Sequence, residues 1–131
     1  MLDDSYITRE KFINLLVSFS GIPREELLIK GVLETKDLSD PDEAIERRSV
    51  AEILHNYIRI ILQIKDEEDI KEAYILKDLF DCRVCANHIA QVYLKGIMDA
   101  TDVDGLHIFN VFGKVSEEEA EKYLQNTQKK R

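Results

Sequence analysis

Apolar residues along this chain repeat in three copies of one ten-residue phrase, at 7–16 (ITREKFINLL), 45–54 (IERRSVAEIL) and 115–124 (VSEEEAEKYL). Each copy opens on a branched apolar residue, passes through a polar stretch and closes on an apolar pair. The spacing predicts a helix start in each. Thr8 and Ser116 stand where an N-cap accepts a first-turn N–H, and Glu119 completes a capping box with Ser116. Ile7 and Val115 then face Phe12 and Ala120 as hydrophobic staples. The middle copy has Glu46 at the cap, so its helix relies more on packing. Phe12, Leu15, Leu16 and Phe19 recur as Val50, Ile53, Leu54 and Tyr57, the i, i+3, i+4, i+7 stripe of a half-buried helix.

A second phrase falls between these starts. Leu28-Ile29-Lys30-Gly31-Val32-Leu33 matches Tyr93-Leu94-Lys95-Gly96-Ile97-Met98, a helical run closed by glycine and two apolar residues. Polar loops follow at 34–44 and 99–114. The expected order is start helix, glycine-ended helix, loop and start helix again, run about two and a half times.

That combined pattern resembles the S-layer homology (SLH) family, whose repeats join an Asp-containing turn, a helix ending in Gly-Ile, a loop and an Ile-Thr-Arg-Ala-Glu helix start. Ile7-Thr8-Arg9-Glu10 is the nearest fragment, Ile45-Glu46-Arg47 keeps the isoleucine and arginine, and Phe80-Asp81, Ala86, Ile89, Gly96 and Ile97 fall close to the family's spacing. The departures are Glu117 in place of the third arginine, no aromatic near Val84, no Trp, and a first repeat that begins at its second half.

The resemblance implies an all-α fold, an SLH-like pseudo-threefold arrangement with a central three-helix bundle and peripheral short helices. One domain then spans residues 1–131: a half repeat at 7–22, a second repeat at 23–62, a connecting segment at 63–79, a third repeat at 80–125 and a tail at 126–131. The bundle helices are expected at 9–19, 47–62 and 117–124, with outer helices at 24–30 and 84–95. Residues 66–79 are expected either to fold into the place of a missing third prong or to leave a face that a second chain covers.

The implied function is non-catalytic: binding of an acidic cell-wall polysaccharide through Arg9, Arg47 and Arg48, with Asp81 and Gly96 shaping the adjacent walls. Arginine suits the task because its planar guanidinium pairs two donors with a carboxylate or pyruvyl-ketal oxygen. At a helix start it also brings the anion to unpaired N–H groups. The alternative for Arg9 and Arg47 is pairing with Asp37, Asp40 or Asp42. The alternative function is an SLH-derived helical scaffold that binds a protein partner or itself.

Composition narrows the classes further. With 44% hydrophobic residues the chain can bury a core, and its net charge of −8 argues against nucleic acid, whose phosphates reward clustered Lys and Arg. The basic run Lys129-Lys130-Arg131 reads as a solvated terminus. No apolar run reaches the ~20 residues of a membrane span. The acidic Met1-Leu2-Asp3-Asp4 is unlike a signal peptide. Location is therefore expected at the cell wall or surface if an export signal has been removed, and in the cytoplasm otherwise.

No cofactor or metal is expected. Cys82, Cys85 and His88 form C-x2-C-x2-H, but a structural zinc site needs a fourth ligand and His55 and His107 are isolated in sequence. The cysteines read as small core or boundary residues. Residues 99–105 lack the first and last ligands of an EF-hand loop, so they read as a turn with local Asp bonds. The acidic run Asp66-Glu67-Glu68-Asp69 reads as a solvated helix start. No nucleophile elbow or phosphate loop is present.

Overall fold

The residue that opens each phrase is buried, with Ile7, Ile45 and Val115 all at 2% exposure or less, and backbone pairing explains why. In the computed structural model, which describes residues 6–130, the second residue of each phrase pairs antiparallel with the residue preceding the next phrase. Thr8 faces Ala44, Glu46 faces Lys114, and Ser116 faces Tyr6. The three pairings close a ring. Its hydrogen bonds include Ile7 N–H to Val115 O at 2.8 Å, Ile45 N–H to Ile7 O at 3.0 Å and Arg47 N–H to Gly113 O at 2.8 Å. Buried backbone must be paired somewhere, and here the three helix starts pair with one another. Residues 1–4, read above as an acidic start, and Arg131 of the basic tail lie outside the described residues.

From the ring run α1 (Arg9–Ser20), α3 (Arg47–Ile60) and α5 (Glu117–Gln128), with α2 (Arg24–Lys30) and α4 (Ala86–Leu94) between them. Thr8 Oγ1 accepts from Lys11 N–H, and Ser116 and Glu119 form the reciprocal capping box. Glu46 makes no side-chain cap. Gly31 and Gly96 end α2 and α4 in the left-handed conformation, at φ 89° and 73°. The residue after each donates back into its helix, Val32 to Leu27 O and Ile97 to Val92 O. The tail expected from residue 126 is instead the last turn of α5, where Thr127 is buried and donates to Tyr123 O.

The expectation of an all-α fold is overturned by a two-stranded antiparallel sheet, β1 (Thr101–Val103) with β2 (Leu106–Ile108). Asp104 and Gly105 supply a two-residue turn with φ of 54° and 82°. That pair of left-handed residues matches the twist of a tight hairpin and is a strong hairpin signal. The fold is mostly helical with mixed content. The expected bundle also needs correcting, because α3 packs most extensively on α4, while α1 packs on α5. The reason lies in α3 itself, which buries Val50, Ala51, Ile53, Leu54, Tyr57 and Ile58 together with His55 and Asn56. Such a broad buried surface needs cover on more than one side.

The connecting segment 63–79 contains a 3-10 turn at Lys71–Ile75 that packs on α4 and places Ala73 in the core with Leu76 and Leu79. Lys77 N–H then donates to His107 O at 2.9 Å, tying this segment to the hairpin. No helix among the described residues is long and apolar enough to cross a membrane.

Candidate functional site

Arg9 and Arg47 hold the same place in their phrases, yet the structure treats them differently. Arg47 is 6% exposed. Its Nε donates to Phe109 O at 2.6 Å, one terminal nitrogen to Tyr123 Oη at 2.5 Å and the other to Asp99 O at 2.6 Å. The Phe109 ring lies 4.5 Å from the guanidinium carbon. Arg47 is thus enclosed, with all three of its guanidinium nitrogens bonded within its own chain, which argues against it as a glycan ligand. Burial raises the Tyr123 hydroxyl above its ordinary value, with Arg47 partly opposing the shift, so the phenol stays protonated and neutral beside the cation.

Arg9 borders a cleft of about 410 Å³ shared with Lys36, Arg48, Ser39, Ser49 and Asp40. One terminal nitrogen reaches Lys36 O at 3.4 Å, while Nε is buried without a partner. Among the described residues no carboxylate lies within ion-pair distance of Arg9, so the expected alternative pairing with Asp37, Asp40 or Asp42 is not formed. The other cations of the cleft are already engaged. Lys36 pairs with Glu52 at 2.9 Å, which raises its pKa. Arg48 Nε pairs with Glu46 at 2.7 Å, and its guanidinium stacks 4.8 Å from the Phe112 ring. Burial pushes the Asp37 carboxyl upward, although it accepts Glu34 N–H at 2.8 Å.

The expected help from helix N–H groups is not offered. Arg9 N–H donates to Glu43 O, Glu10 N–H to Pro41 O and Lys11 N–H to Thr8 Oγ1, so the first turn of α1 is already satisfied. An anion in this cleft would be held by side chains. In the third phrase, Glu117 pairs with Lys11 at 2.5 Å on the surface.

Asp81 and Gly96 lie elsewhere. Asp81 is exposed on a 3-10 turn at Leu79–Asp81 and lines neither major hollow. Gly96 borders a separate, open hollow of about 880 Å³ with Lys71, Tyr93, Asp99 and His107. The acid that organises this region is Asp78, three residues before Asp81. It is 9% exposed and accepts the N–H groups of Phe109, Asn110 and Val111 at 2.9, 2.7 and 3.1 Å. Phe109 and Val111 in turn give their carbonyls to Arg47 Nε and Arg48 N–H, so one buried carboxylate fixes the segment after β2 that receives both arginines.

Two groupings were not expected. His55 Nδ1 lies 2.8 Å from His88 Nδ1, and His55 Nε2 lies 2.6 Å from Asp66 Oδ1. Asp66 therefore belongs to an Asp–His–His chain and does not start a helix. Burial alone would raise its carboxyl, but the hydrogen bond and charge of His55, with Asn87, hold it below the ordinary value. Cys82 and Cys85, read as small core or boundary residues, are joined by a disulfide. Among the described residues no three His, Cys, Asp or Glu side chains gather so as to hold a metal ion.

No family model, no curated protein and no solved structure matches this chain.

Proposed function

We propose that this chain is a non-catalytic, SLH-type module that holds an acidic cell-wall polysaccharide in the cleft beside Arg9, for attachment at a cell surface. The observation that carries the reading is the state of Arg9: a guanidinium bordering a cleft, without an ion pair among the described residues, and with a buried N–H left unmatched. A buried unmatched donor is costly, and a carboxylate or ketal oxygen entering the cleft would recover part of that cost through a charge-assisted bond. Ser39 and Ser49 offer hydroxyls and Asp40 an acceptor for sugar hydroxyls. Arg48, held by Glu46 and Phe112, lines the same cleft.

The experiment is co-sedimentation with purified walls, before and after chemical removal of their acidic secondary polymer. Retention that disappears with the polymer supports the reading, and equal retention on stripped walls contradicts it.

A second reading, a scaffold for protein contact, is favoured by the exposed aromatic pair Tyr74 and Phe80, whose ring centroids are 5.8 Å apart. It expects no wall retention, together with self-association in sedimentation velocity.

A further inference from the structure

The Arg9 cleft also borders the chain's one reactive bond among the described residues, the disulfide between Cys82 and Cys85, whose Cα atoms are 5.2 Å apart. The Cys-x-x-Cys loop sits immediately before α4, with Cys85 as its N-cap and Cys85 N–H donating to Cys82 O at 3.1 Å. A bridge across two intervening residues restrains the unfolded chain less than a bridge between distant segments, so stapling is a weak account of it. Three features make it a chemical site. Cys85, 8% exposed, lines the cleft, so the cleft is the side from which a nucleophile approaches the bond. Arg48 Nη1 lies 3.9 Å from Cys82 Sγ, so a cation faces the other sulfur. Val84, between the two cysteines, is 88% exposed and lines the same cleft, an apolar surface that a peptide side chain can rest on.

We propose that Cys82–Cys85 is a thiol–disulfide exchange site that accepts a peptide or protein dithiol through the Arg9 cleft. A thiolate of the partner attacks Cys85 Sγ, forming a mixed disulfide. The Cys82–Cys85 bond breaks, and its electron pair leaves on Cys82 Sγ as a thiolate facing Arg48. The partner's second thiolate then attacks its own sulfur in the mixed disulfide, forming the partner's disulfide and releasing Cys85 as a thiolate. Two protons given up by the partner's thiols neutralise Cys82 and Cys85. The partner loses two electrons and the pair gains them, with no other reactant required. The division of labour follows from position: the sulfur at the cleft takes the attack, and the sulfur beside the cation leaves. A nearby cation lowers a thiol's pKa, and a leaving thiolate of lower pKa departs faster. Arg48 is pinned for this role by Glu46 at 2.7 Å and by Phe112. The proposal does not depend on the glycan reading, because it needs no sugar in the cleft.

The test treats the folded, oxidised protein with dithiothreitol at neutral pH, quenches with iodoacetamide at intervals and counts alkylated cysteines by intact mass, alongside Arg48→Gln and Arg48→Lys. The expected result is two alkylations per chain with an unchanged circular dichroism spectrum. Arg48→Gln should slow the reaction about tenfold and Arg48→Lys should retain most of the rate, since the charge acts through the leaving thiolate. If Arg48→Gln does not fold, the rate of the parent at high salt decides: slowing is expected, and an unchanged rate overturns the proposal. Reduction that occurs only after unfolding in guanidinium, or at equal rates in folded parent and Arg48→Gln, also overturns it.

Discussion

The guanidinium of Arg47 donates to the phenolic oxygen of Tyr123 at 2.5 Å, joining the start of α3 to the middle of α5 across 76 positions of chain. With Phe109 O and Asp99 O as its other acceptors, this arginine closes the space that its counterpart Arg9 leaves open. Two equivalent positions have become a structural pivot and a candidate ligand.

Removing Arg47 should therefore lower stability. Arg47→Ala strands two buried acceptors and a part-buried one and opens a cavity under Phe109, and bonds to charged groups are each worth about 1.5–3 kcal/mol, so a loss of roughly 3–5 kcal/mol is expected. Arg9→Ala, with only one long bond to the backbone, should stay within about 0.5 kcal/mol of the parent. Urea unfolding of both variants checks the contrast.

Asp78→Ala should be the more damaging of two neighbouring acid changes. It leaves the N–H groups of Phe109, Asn110 and Val111 without their acceptor, at a cost of about 3–4 kcal/mol, whereas exposed Asp81→Ala should cost less than about 0.5 kcal/mol. Thermal melts of the pair, followed by circular dichroism, provide the measurement.

The starts of the helices were legible because the caps are local. Thr8, Ser116 and Glu119 act within three residues of themselves, and the glycine endings at Gly31 and Gly96 likewise depend on neighbours. The turn was legible, since residues 99–105 read as a turn with local Asp bonds, but the three-residue strands on either side of Asp104-Gly105 are too short to show an alternating pattern of their own. The rest is non-local. Nothing around Arg47 in sequence announces Phe109, Asp99 and Tyr123. His55 looks isolated until α3 and α4 bring it to His88, and Asp81 and Asp78 differ only in which one the fold buries. The cysteine pair was visible, but its bonded state and its place on the Arg9 cleft were not.

The histidine pair makes stability depend on pH. Burial, followed by the charge of His55, lowers the pKa of His88 from its ordinary 6.5. The unfolded chain then binds the proton more readily than the folded one. Its contribution to stability is present above about 6.5 and is lost as pH falls from there toward the lower folded value. The Nδ1–Nδ1 bond agrees, since it requires one of the two nitrogens to lack a proton. Stability measured by urea titration should drop between neutral and mildly acidic pH, and His88→Asn should flatten that slope. An unchanged slope in the variant would remove His88 as the cause.

The claim on which the functional account rests is that Arg9 holds an acidic glycan. Its most direct test is calorimetric titration of a pyruvylated cell-wall polysaccharide into the parent and into Arg9→Ala. One charge-assisted contact of about 1.5–3 kcal/mol corresponds to a loss of roughly ten- to a hundred-fold in affinity, with the melting temperature unchanged. Equal affinity in the two proteins, or no binding by the parent, would contradict it.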